Sequence, residues 1–234
     1  MPDLFKGGTL DMSTSPLEAA AGTPLWGDCI VNHVAVVVTL VLIIIELTDI
    51  IRLYPSLLRC LQRWKGNLEL EHSVSLARTR NTVALVAAMA FCLIADRWEL
   101  VAPSFKMSLP QVWQLPVTAG LLAGAALLRR LLFFATKYRS KTSEFASAFR
   151  HIVFNYLILM VSVLLVAVLV LVPLKVPQTT VSSIMYAIVG MFILLHLVRT
   201  GQFLSSRCGT LATILYLCAL EILPLGILIF VCTL

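Results

Sequence analysis

Charge is what this sequence has least of. Asp, Glu, Lys and Arg make up 13% of its 234 residues, about half the ~25% of a typical soluble domain. So few charges cannot dress a globule of this length for water. The 12 acidic residues are also scattered, which leaves no cluster for a two-metal phosphoryl-transfer site. The six cysteines, at positions 29, 60, 92, 208, 218 and 232, contain no CxxC pair and no His/Cys ligand spacing, so a zinc module or redox pair is not expected. No P-loop, GxGxxG, HExxH or GxSxG motif stands in a fitting context. Catalytic residues, cofactors and metals are therefore not expected, and nothing points to an enzyme. The start lacks the basic region and continuous apolar core of a secretory signal peptide. No folded soluble module is present to carry nucleic-acid binding.

What fills the space is apolar: 59% of the residues are hydrophobic, above the ~45–50% of soluble chains. The expected fold is an all-α polytopic membrane bundle of six transmembrane helices. Residues 1–28 form a polar extracytoplasmic tail with Trp26 as an interfacial anchor, and residues 29–234 form the membrane domain. Its spans are expected over about 29–51, 81–98, 111–128, 152–172, 181–198 and 210–232. The second is short for a bilayer that needs ~20 residues, so it either thins the membrane or continues through residues 95–99. Ala84, Ala88 and Cys92 give it a small-residue stripe for packing. Residues 53–80 read as amphipathic connectors: Leu57, Leu58, Leu61 and Trp64 share one helical face, opposite Arg59, Gln62, Arg63 and Lys65, the pattern of a helix lying in the headgroup region. The fourth span is apolar almost all round and is expected to face lipid over much of its surface.

The basic residues orient the bundle. Connectors 52–80, 129–150 and 199–208 hold 14 of the 18 Lys and Arg residues, leaving 4 for the tail and the other two loops. By the positive-inside rule those connectors are cytoplasmic and both termini lie outside. Cys29 and Cys232 then fall near the same outer face, so a disulfide between them stays open.

Polar residues inside the spans are few. Glu221 is the most conspicuous, near the middle of the last span in YLCALEILPLG, residues 216–226. A charge at mid-membrane costs on the order of 2.5–3.5 kcal/mol on insertion scales, so it should face protein or water. Pro224 has no N–H, which frees the Leu220 carbonyl and marks a helix kink beside the carboxyl. Glu46 and Asp49 share a face near the inner end of the first span, with Asp49–Arg52 a candidate interfacial pair. Asn155 in the fourth span, with His196 and Arg199 in the fifth, completes a polar belt near the inner surface. Glu221 lies about 17 Å into its helix at ~1.5 Å per residue. That is deeper than the belt, so contact with His196 is expected only through a water-filled vestibule. Gly120 and Gly124 form a GxxxG pattern, read as a helix-packing face.

The block 203–226, with its YLCALEILP core, resembles the C-terminal signature of an uncharacterised family of small multi-pass bacterial inner-membrane proteins, a domain of unknown function. FRHIVFNY at 149–156 and HLVR at 196–199 are similar to it as well. The resemblance covers most of the membrane region and leaves out the first ~28 residues. It implies a bacterial inner (cytoplasmic) membrane location and adds weight to Asn155, Arg199 and Glu221, but it implies no activity. Two functions are left. One is a partner-binding component or assembly factor of an envelope or secretion system, set in the lipid bilayer with a membrane-protein partner or a second copy of itself. The alternative is a small proton-linked transporter or carrier using Glu221.

Overall fold

A computed structural model describes residues 26, 29–62, 66, 73–101, 103–135, 143–206 and 209–233. Among these no strand occurs and the chain is all-α. The helices are α1 (Ile30–Gln62), α2 (Val74–Arg97), a short α3 (Ser104–Met107), α4 (Gln111–Ala135), α5 (Ser143–Leu171), α6 (Gln178–Ser205), α7 (Thr210–Leu217) and α8 (Leu223–Thr233). A π turn over Cys218–Ile222 joins the last two into one rod. Six helices, counting that rod as one, are long and apolar enough to cross a membrane. The molecule is a membrane protein.

The first departure from the sequence reading is the length of α1. It runs without a break through Pro55 to Gln62. Leu53, Leu57 and Cys60 are fully buried and Leu58 is exposed. The stretch that reads as a surface helix is thus the end of a core helix. An amphipathic face signals burial against something, and periodicity alone does not say whether that is a bilayer or a neighbouring helix. Trp64, part of the same face, lies outside the described residues. Gly66 sits against this end. A Cβ there would come within 2.9 Å of the Arg59 carbonyl carbon and the Cys60 nitrogen, so the position accepts only glycine without a shift of backbone.

α2 and α5 form the centre. Leu53 and Leu57 of α1 join Val83, Ala84, Ala87 and Ala90 of α2, Ile158 and Leu164 of α5, and Met185 and Phe192 of α6 in one apolar cluster. The small residues of α2 that are buried are Ala84, Ala87, Ala90 and Ala95, while Ala88 and Cys92 of the expected stripe are half-buried. Helix association in lipid rests on close packing rather than on removal from water, and alanines let backbones approach. α5 faces lipid only over its second half, where Val166, Leu169 and Val170 are exposed, and its first half is core. Its residues 158–161 are all buried, as are Ile152, Tyr156 and Leu164. A helix apolar all round reads the same in lipid and in a core.

One end of the bundle is closed by polar contacts. Asp96, at the end of α2, takes hydrogen bonds from Trp26 Nε1 at 2.7 Å and Thr118 Oγ1 at 2.9 Å, and an ion pair from Lys106 Nζ at 2.8 Å. The helix ends there in a Schellman turn: the Leu100 N–H bonds the Ala95 carbonyl and the Glu99 N–H the Asp96 carbonyl. Glu99 takes the left-handed position at φ 54°. Its carbonyl accepts the Tyr186 hydroxyl at 2.7 Å, which ties α6 to the turn. Cys29 and Cys232 are not joined by a disulfide.

Candidate functional site

The last rod does not meet Pro224 with an open kink. The chain widens over Cys218–Ile222 into a π turn, and the Leu223 N–H bonds the Cys218 carbonyl five residues back. One extra residue in the turn lets the helix pass the missing N–H of Pro224. Within the turn, Leu220 and Glu221 are buried. Leu220 packs with Phe149 and Ile152 of α5 and with Phe203 and Leu204 of α6. Glu221 therefore points into the bundle.

There it meets a cation that the sequence reading places at a span boundary. α4 continues past Leu128 to Ala135, which puts Arg129 inside the helix. Arg129 Nη2 donates to Glu221 Oε1 at 2.7 Å, and its Nε lies 3.2 Å from both carboxylate oxygens. The forked donor set suits a carboxylate, the strongest kind of charge-assisted pair. Its Nη1 reaches the Arg150 carbonyl at 3.4 Å, linking α4 to α5.

The second partner is His196 of α6, whose Nε2 lies 3.1 Å from Glu221 Oε2. The sequence reading holds these two apart, and the structure corrects it. α6 runs to Ser205, so His196 stands nine residues inside the helix rather than at its end. It thereby reaches the depth of Glu221, and no vestibule is required between them. Its Nδ1 faces Thr200 Oγ1 at 3.4 Å. One neutral tautomer satisfies the row: Thr200 O–H donates to Nδ1, and Nε2–H donates to the carboxylate. Arg129, Glu221 and that histidine then sum to zero charge, the arrangement that low-dielectric surroundings tolerate.

The cluster continues into the core through Tyr156. Its ring centroid is 5.2 Å from that of His196, and its hydroxyl donates to the Cys60 carbonyl at 3.4 Å. A chain of contacts therefore runs from α1 through α5 and α6 to the π turn and α4. Asn155, one residue earlier, is buried but turned elsewhere, its Nδ2 3.9 Å from Cys60 Sγ.

The remaining expected site residues stand apart. Arg199 Nη1 donates to Gln202 Oε1 at 2.9 Å within its own helix. Glu46 and Asp49 are half-buried on α1, Glu46 Oε2 is buried with no hydrogen-bond partner, and no ion pair joins Asp49 to Arg52. Gly120 and Gly124 are exposed, with open space where a Cβ would stand, so among the described residues nothing packs on the GxxxG face. Among the described residues no three His, Cys, Asp or Glu side chains gather as a metal-ligand set.

Arg129, Thr200 and Tyr156 are the site residues that sequence reasoning missed. A signal for Arg129 existed. The apolar LLFFA after Arg129–Arg130 extends that helix, and an acid as deep as Glu221 calls for a cation on another span. No curated protein and no solved structure matches the chain. Residues 65–231 match the family described as a domain of unknown function (DUF4271), and the chain belongs to that family.

Proposed function

We propose that this protein is a partner-binding membrane component, of the assembly-factor kind, in a bacterial envelope or secretion system. In this reading it sits in the inner membrane, with the basic connectors in the cytoplasm and both termini outside. The observation that carries the reading is the division between an inward-facing charge cluster and an unused close-packing face. Glu221 is satisfied by Arg129 and His196 of its own bundle, which supports a role in holding shape. Gly120 and Gly124 on α4 stand bare of any neighbour among the described residues, and glycines four apart let a second helix approach closely. The partner is a membrane protein or a second copy of this chain. Photo-crosslinking from positions 121 and 128 of α4 in native membranes tests this. A discrete adduct that disappears in Gly124→Leu, with unchanged melting of the purified variant, is expected. Adducts to lipid alone would sink the reading.

A second reading, a small proton-linked carrier, is favoured by the His196–Glu221 contact. A histidine shared between a carboxylate and a hydroxyl has the chemistry of a proton-handling group. It predicts proton flux in proteoliposomes that stops in Glu221→Gln and His196→Gln while both variants stay folded. Flux equal to that of empty vesicles would dispose of it.

A further inference from the structure

The end of the bundle remote from Arg129 and Glu221 holds a groove of about 530 Å3 bounded by α1, α2, α5 and α6. That lies within the ~300–1,000 Å3 of small-molecule pockets, so it is more than a packing flaw. Its walls come from side chains at helical spacing: Val36, Leu40 and Ile43 on α1, Leu93 on α2, and Leu165 and Val168 on α5. Arg97, Trp26 and Trp98 line it as well, with the Arg97 guanidinium carbon 5.4 Å from the Trp26 ring centre. Among the described residues no carboxylate pairs with Arg97. Its neighbour Asp96 turns into the bundle, where Lys106, Thr118 and Trp26 take it up. An apolar slot in a membrane protein thus ends at a guanidinium that no described carboxylate pairs with, beside two tryptophans, the residues enriched at headgroup depth.

We infer that the groove binds an anionic phospholipid, one acyl chain lying against α1, α2 and α5 and the phosphate on Arg97. Guanidinium groups bind phosphate with paired donors and are weakly hydrated, which suits a desolvated interfacial site. A partner helix is the wrong size. At ~10 Å diameter and 1.5 Å rise a helix fills roughly 120 Å3 per residue, so the groove takes little more than one turn. The inference is independent of the Glu221 cluster, and its test uses none of those residues.

The test is native mass spectrometry of the delipidated full chain in neutral detergent, with dioleoyl phosphatidylglycerol or dioleoyl phosphatidylcholine added. Both lipids carry the phosphodiester, but the choline ammonium offsets its charge beside Arg97, so the wild type should retain one phosphatidylglycerol severalfold more readily than phosphatidylcholine. Arg97→Gln should erase that preference, lowering phosphatidylglycerol retention more than phosphatidylcholine retention, and Arg97→Lys should restore part of it. Leu93→Trp should fill the slot and remove both lipids at unchanged melting temperature. If that variant does not fold, Val36→Trp on the opposite wall serves instead. Equal retention of the two lipids by the wild type overturns the inference, as does wild-type lipid retention in a folded groove-filling variant.

Discussion

Glu221 and Arg129 lie 2.7 Å apart, with side chains 4% and 17% exposed, so each is the main reason the other is tolerated at that depth. Breaking a buried pair from one side leaves a bare charge, whereas removing both partners leaves none. Glu221→Gln and Arg129→Gln are each expected to destabilise the protein by about 3 kcal/mol, and the double variant by less than their sum. Thermal denaturation of the four proteins in detergent measures this, and strict additivity would refute a direct pair. A second expectation concerns Gly66, where an added Cβ strikes backbone at 2.9 Å. Gly66→Ala should cost roughly 1–3 kcal/mol, the range for overpacking, read as a lower melting temperature. Glu221 was legible as a special residue from its surroundings alone. Its partners were not, because the distance between two helices at one depth is nowhere encoded in local sequence.

The elements differ from their sequence outlines mainly in length. α1, α2, α4 and α6 all extend beyond their apolar runs, since a helix can leave the hydrocarbon without changing its backbone. Three of these extensions shape the core and the charge cluster: they place Leu57 in the core, Arg129 within reach of Glu221 and His196 at the same depth. The continuous α1 makes a sharp prediction. Leu57→Ala should cost ~2–5 kcal/mol, as for a buried leucine, while Leu58→Ala one residue on should stay within about 0.5 kcal/mol. If thermal melting found the two equal, the segment would be a surface helix after all. The π turn could not be read in advance either. Pro224 announces that a hydrogen bond is missing, but a kink, a water and an extra residue in the turn all answer it.

Two polar clusters stand in the whole molecule, the Asp96 closure at one end and the Glu221 cluster nearer the basic connectors, with an apolar core beside them. The proposed topology is checked by a C-terminal alkaline phosphatase fusion, which should be active if that terminus is extracytoplasmic. An inactive fusion with a fluorescent cytoplasmic reporter in its place would reverse the orientation. By itself the sequence determined the class of fold, the existence of six apolar helices and the singularity of Glu221. These follow from composition, run length and the cost of a charge in hydrocarbon, all of which are local properties. Only the tertiary structure decided that the first half of α5 is central, that Glu221 meets Arg129 and His196, and that no described residue covers the glycine face of α4. In a bilayer the core and the lipid are equally apolar, so which face of a helix is buried is settled by packing between helices.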